Sequence, residues 1–191
     1  LRPVLRAAAL ALLAAAPAGA TAAVTETGRQ RLYEVHQPAA TSLLQALNQA
    51  TPVRGESGQV FFGYTEWQLH WKYRYRRQAD GVCKLTAVDV TLDVTTTLPE
   101  FKTGTAQGRA EFERFLPALV EHEEGHRRIG QETARDIDAA LSGLEPMASC
   151  ALLEAEIARL GSDHLERSRR ANKHYDETTR HGCTQGACVN R

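Results

Sequence analysis

Neither sign of charge prevails in this chain of 191 residues, where 23 Lys and Arg stand against 23 Asp and Glu. Without a basic excess there is no electrostatic footprint for nucleic acid, and without an acidic run there is no solvated tail. After Ala16 no apolar run is long enough to cross a bilayer, so no stable membrane span is expected in the mature chain. No internal repeat or low-complexity tract follows the N-terminal segment, so nothing suggests a solenoid or a linker array. The four cysteines include no C-x-x-C spacing, which argues against a cysteine metal site. What remains, 42% hydrophobic and 24% charged, is the composition of a soluble globular protein, and the length suits one domain plus a processing segment.

Residues 1–20 read as that processing segment. Arg2 and Arg6 form a positive n-region, Ala7 to Ala16 an apolar h-region, and Ala18-Gly19-Ala20 a small-residue cleavage site. Cleavage after Ala20, with Ala23 as the alternative, leaves a mature chain beginning near Thr21. No cysteine stands immediately after the cleavage site, so no lipid anchor is expected. Export implies an oxidising compartment, a secreted or periplasmic location, and paired cysteines. Of the three pairings of Cys83, Cys150, Cys183 and Cys188, the preferred one joins Cys83 to Cys150 and Cys183 to Cys188.

The pattern along the mature chain predicts an α+β fold: an antiparallel sheet of about three to four strands packed with two long helices. Thr21 to Arg31 reads as loose, Leu32 to His36 as a strand, and Pro38 to Ala50 as a short helix. Val60 to Tyr64, Glu66 to Arg76 and Cys83 to Thr97 read as antiparallel strands, the last two joined by a turn at Asp80-Gly81. Trp67, Leu69, Trp71, Tyr73 and Tyr75 share the inward face of the middle strand. Leu98-Pro99 is expected to close the sheet, and Thr103 to Gly108 to form a polar loop. A helix then runs to about Leu141, starting or bending at Pro117. A second long helix spans Cys150 to about Thr178, with Gly161 as a weak point.

The first of these helices carries His122-Glu123-Glu124-Gly125-His126, which matches H-E-x-x-H. Histidines four apart share one helix face and can share one metal ion. Phe112, Phe115, Leu119, Ile129, Thr133, Ile137 and Leu141 continue the same stripe, so both imidazoles point inward, where an unpaired polar ring is costly. Glu123 is then placed to take a proton from water at the metal. Two buried core histidines beside a solvated acidic face would give the same five residues.

Catalytic zinc usually has three protein ligands. Ile129 and Glu132 stand where the extended H-E-x-x-H-x-x-G-x-x-H pattern needs Gly and His, so the third ligand lies further on. Glu145, Glu154, Glu156, His164, His174, Asp176 and His181 have suitable chemistry. Two helices joined by a short turn run antiparallel, and at about 1.5 Å per residue the stretch from Asp163 to His181 returns past the motif. That disfavours Glu145 and Glu154 and leaves the others open. His36 and His70 read as structural or surface residues.

Several segments together resemble the bacterial family of predicted secreted zinc-dependent proteases known as domain-of-unknown-function family 922. They are Phe62-Gly63-Tyr64-Thr65 with Trp67 and Trp71, Gly81-Val82-Cys83, Thr97-Leu98-Pro99, His122 to His126, and Tyr175-Asp176 through Thr179, His181 and Gly182. The resemblance implies a single zincin-like metallopeptidase domain over residues 24–191 in the bacterial cell envelope. It makes His181 the first choice for third ligand. Asp176 becomes an outer carboxylate that orients a ligand imidazole, or itself the ligand, and Tyr175 a donor to a developing oxyanion. The leading expectation is a zinc-dependent peptidase with His122, His126 and His181 on Zn2+ and Glu123 as general base, acting on a peptide or protein. The alternatives are a non-enzymatic metal-binding envelope protein on the same scaffold and a cell-wall peptide amidase.

Overall fold

The hairpin at Asp80-Gly81 sets the architecture. Gln78 N–H bonds the Val82 carbonyl, and Gly81 takes a φ of +90°, which glycine adopts without strain. The strands it joins, β2 (Tyr64–Arg77) and β3 (Cys83–Thr103), pair antiparallel from Arg77 opposite Cys83 to Tyr64 opposite Thr97. The computed structural model describes residues 24–55 and 57–189; the expected signal peptide lies outside them. The remaining elements are β1 (Thr25–His36), α1 (Leu43–Ala50), α2 (Ala106–Ser142), α3 (Cys150–Thr179) and a 3-10 turn at Cys183–Gln185.

The sheet has three strands in the order β1-β3-β2, and it is mixed. β1 runs parallel to β3, which corrects the expectation of an all-antiparallel sheet. β1 also begins earlier than Leu32. Its N-terminal half has no apolar alternation to announce it, but Glu26 accepts from Arg127 Nε at 2.7 Å and Gln131 Nε2 at 2.8 Å, tying the strand to α2. Val60 to Tyr64 is no separate strand: Val60 makes an isolated bridge to Arg54, and β2 starts at Tyr64. β3 runs through Leu98-Pro99 to Thr103. β2 has already ended opposite Thr97, so Pro99 has a neighbouring strand on one side only, where a strand proline is tolerated. α2 starts at Ala106, capped by the Thr105 hydroxyl, and continues through Pro117.

One face of the sheet carries α2 and α3, and the other meets solvent. Val88, Val90, Leu92 and Val94 of β3 are buried against Ala134, Ile137 and Leu141 of α2 and Leu153 and Ile157 of α3. A second apolar cluster joins Val35, Leu43, Leu47, Leu98 and Phe101 to Phe112, Phe115 and Leu119 of α2. The two clusters grip α2 on either side of residues 122–126, so the motif is held at both ends by buried apolar side chains. The Cys83–Cys150 disulfide fastens the start of β3 to the start of α3, and Cys183–Cys188 closes a loop after α3. Both pairings are those expected from the sequence. Among the described residues, no helix is long and apolar enough to cross a membrane.

The Trp71 indole lies over Gly161, so the glycine that weakens α3 by propensity is what admits the ring. A methyl on Gly161 would sit 2.4 Å from Trp71 Cζ2. Alanine is the better helix former, but a rigid indole in a packed layer has little room to retreat. Gly161→Ala is therefore expected to destabilise the fold by about 1 kcal/mol or more. A urea midpoint equal to the parent's would show that the ring moves aside freely.

Candidate metal centre

Helical spacing places His122 and His126 on the α2 face that meets α3, with their ring centroids 4.9 Å apart. Their side chains are only 5% and 12% exposed, which for a polar ring demands a partner. Asp176 of α3 supplies it. Its Oδ1 lies 3.3 Å from His122 Nε2 and 3.1 Å from His126 Nε2. Ligand atoms of these three residues all lie within 4.8 Å of one another, the one such grouping among the described residues.

The outer nitrogen of each imidazole is also engaged. His126 Nδ1 lies 2.8 Å from Asn172 Oδ1, while Asn172 Nδ2 donates to the Ser168 carbonyl. His122 Nδ1 lies 3.0 Å from Gln185 Oε1, while Gln185 Nε2 donates to the Tyr175 hydroxyl. Each amide thus spends its NH2 elsewhere and presents oxygen to the ring, so each Nδ1 carries the proton. Both Nε2 lone pairs then point at a carboxylate oxygen. Three acceptors facing one point repel unless a cation sits among them or both rings take a second proton. Two imidazole nitrogens and one carboxylate oxygen are a ligand set that suits Zn2+.

Glu123 is buried beside this cluster, 4% exposed, and its Oε2 has no hydrogen-bond partner among the described residues. A methyl on Gly63 would come within 2.5 Å of Glu123 Oε1, so the glycine lets the main chain before β2 lie against the carboxyl. Burial pushes the Glu123 carboxyl up from its ordinary value, against the pull of Thr65 and the two imidazoles. Burial also acts to raise Asp176, but where the rings are doubly protonated, the bonds from His122 and His126 and the charges of His126 and His181 prevail and hold it well below the usual carboxylate range. For His126, burial is outweighed by the bonds to Asp176 and Asn172, and its affinity for a proton is raised.

The other sequence candidates take different places. α3 ends at Thr179, with Arg180 and His181 both at φ 51°. That turn leaves the His181 side chain 59% exposed at the rim, its Nδ1 3.4 Å from Asp176 Oδ1 and its ring 5.4 Å from Phe61. The Tyr175 ring stacks on His122 at 5.1 Å, and its hydroxyl donates to the His122 carbonyl at 3.2 Å, inside the seam between α2 and α3. A methyl on Gly125 would sit 2.1 Å from that hydroxyl oxygen, so this motif position must be small. Glu156 pairs with Arg159 on the exposed side of α3, and His164 and His174 are not in the grouping. His36 and His70 lie at the surface beside Glu34 and Asp93. Asn172 and Gln185 escaped the sequence reading, because an amide that serves a ring 46 or 63 residues away leaves no spacing to read.

His122, Glu123, His126 and Asp176 line a cleft of about 800 Å³. One wall runs from Gln59 to Trp67, the other includes Asn172, Arg180 and His181, and Leu44, Leu119, Ala187 and Val189 add apolar surface. Over residues 30–182 the chain matches the family model described as "Bacterial protein of unknown function (DUF922)". No curated protein and no solved structure matches it.

Proposed function

The chain belongs to the DUF922 family of bacterial proteins, and because that description names no function, we propose one from the site's own chemistry: a secreted zinc-dependent metallohydrolase, of the peptidase type. One observation carries the reading. Two imidazole Nε2 atoms, on rings whose proton is committed to Nδ1, converge on Asp176 Oδ1 beside a buried carboxyl oxygen that has no partner among the described residues. A buried carboxyl oxygen left unpaired among the described residues calls for a partner, which a water at the metal would supply.

His122 Nε2, His126 Nε2 and Asp176 Oδ1 would hold the ion. Bound Zn2+ supplies Lewis acidity, polarising a substrate carbonyl and making water a better acid. Glu123 accepts the proton of the attacking water on Oε2 and hands it to the departing amine nitrogen. Its burial raises its affinity for that proton toward the range a general acid–base needs. Asn172 and Gln185 hold the two rings with Nε2 inward. β2 pairs with β3 alone among the described residues, and its first residues, Tyr64 to Trp67, line the cleft. A free strand edge there can hydrogen-bond the main chain of an extended peptide, which favours a peptide substrate.

The test is metal content with activity. Purified mature protein is expected to carry one zinc ion per chain, to lose hydrolysis of a broad peptide library on chelation, and to regain it with Zn2+. Absence of stoichiometric metal binding would overturn the reading. Zinc without cleavage of any substrate would support the envelope-binding alternative, and cleavage confined to peptidoglycan stem peptides the amidase.

A further inference from the structure

Taking His122 as a metal ligand, as proposed above, we infer that Gln185 is its positioning residue, and that the Cys183–Cys188 disulfide is the brace that keeps Gln185 in place. The hydrogen-bond directions leave Gln185 one arrangement. The Tyr175 hydroxyl gives its only proton to the His122 carbonyl, so its oxygen accepts from Gln185 Nε2 at 3.0 Å. Gln185 Oε1 is thereby turned to His122 Nδ1 at 3.0 Å and fixes the tautomer whose Nε2 lone pair faces the site. Thr179 Oγ1, which donates to the Tyr175 carbonyl at 2.7 Å and accepts from Gly182 N–H, lies 3.5 Å from Nδ1, a longer contact than that of Gln185 Oε1.

His126 has its corresponding partner on α3 itself. His122 depends instead on a short turn after the helix, outside the span matched by the family. That turn is built to hold one shape. Gly182, at φ +82°, carries the chain directly against the ring, where a methyl would lie 3.0 Å from His122 Cγ. Gln185 N–H bonds the Gly182 carbonyl, and Ala187 N–H bonds the same oxygen. The disulfide spans the residues on either side of Gln185 and closes the loop, while Ala187 anchors it in the apolar cluster around α1. Removing the disulfide frees Gln185 to leave Nδ1, after which the ring is no longer held in one tautomer.

The experiment compares the parent with Gln185→Ala, Gln185→Glu and the double variant C183S/C188S, all as the full mature chain with folding checked by circular dichroism. Histidine 15N shifts are measured on metal-free protein, and Zn2+ affinity by competition with a chelator. Glutamate retains the acceptor for Nδ1–H but lacks the NH2 that serves Tyr175, so it separates ring positioning from loop packing. The parent is expected to show the His122 proton on Nδ1. Gln185→Ala and C183S/C188S should show mixed tautomers and Zn2+ affinity lower by about 10–100-fold, while Gln185→Glu keeps both near the parent's values. A parent His122 proton on Nε2, unchanged behaviour of Gln185→Ala, or a loss in Gln185→Glu as large as in the alanine variant would overturn the role of Gln185. Parent-like affinity in C183S/C188S would overturn the brace. A parent that binds no Zn2+ yet shows the Gln185-dependent tautomer would refute the metal reading and leave the positioning contact supported.

Discussion

Glu123→Gln is expected to retain one zinc ion per chain and the native fold, and to lose hydrolysis by about 10²–10⁴-fold or more. The amide nearly matches the carboxyl in shape but cannot accept the proton of the attacking water. The structure makes the substitution selective. Glu123 Oε2 has no hydrogen-bond partner among the described residues, and the Thr65 hydroxyl meets the Glu123 main-chain carbonyl, which the variant keeps. Removing a buried acid whose affinity for protons is already raised leaves no unpaired cation behind. Glu124→Gln serves as the control. Its side chain is half-exposed and pairs with Arg127 at 3.3 Å, a surface contact worth at most about 1 kcal/mol. Zinc quantification and kcat on one peptide substrate check all three proteins. Parent-like turnover in Glu123→Gln would remove Glu123 from the chemistry.

Asp176→Ala is expected to lower Zn2+ affinity by more than about 100-fold, beyond what removal of an outer partner costs, whereas His181→Ala should stay close to the parent. Asp176 Oδ1 is within 3.3 Å of both ligand nitrogens, and its carboxyl is held ionised by the groups around it. His181 is more than half exposed at the rim; its Nδ1 lies 3.4 Å from the same Asp176 Oδ1, but it stands outside the grouping of His122, His126 and Asp176. Chelator competition on the two variants decides between them. A large loss in His181→Ala with retention in Asp176→Ala would move the third ligand to His181, the residue favoured by the family resemblance.

These two residues mark where the sequence stops being legible. The four-residue spacing of His122 and His126, the apolar stripe around them and the length of α3 together bring residues 163–181 back to the motif, and that geometry is present in the structure. Which of those residues faces inward depends on how α3 ends. The helix stops at Thr179, within a residue of the expected end, but it turns through left-handed Arg180 and His181, neither of them glycine, and nothing local announces that turn. Two residues of positive φ suffice to swing His181 toward the rim while Asp176, still helical, stays between the rings. β2 and β3 were readable because alternation and Asp-Gly are local signals. The first half of β1 was not, since Glu26 is held by Arg127 and Gln131 across 101 and 105 residues. The parallel pairing of β1 with β3 was hidden likewise, because strand order is set by the shared core and not by either strand's own pattern. Asn172 and Gln185 belong to the same class of contacts.

The most direct test of the metal centre is an anomalous difference map from crystals of the mature protein grown with Zn2+, recorded on both sides of the zinc absorption edge. The account predicts one ion about 2.0–2.2 Å from His122 Nε2, His126 Nε2 and an Asp176 carboxylate oxygen, with Glu123 outside bonding distance. An ion bound through other side chains, or these four residues in their present places with no ion at saturating zinc, would contradict it.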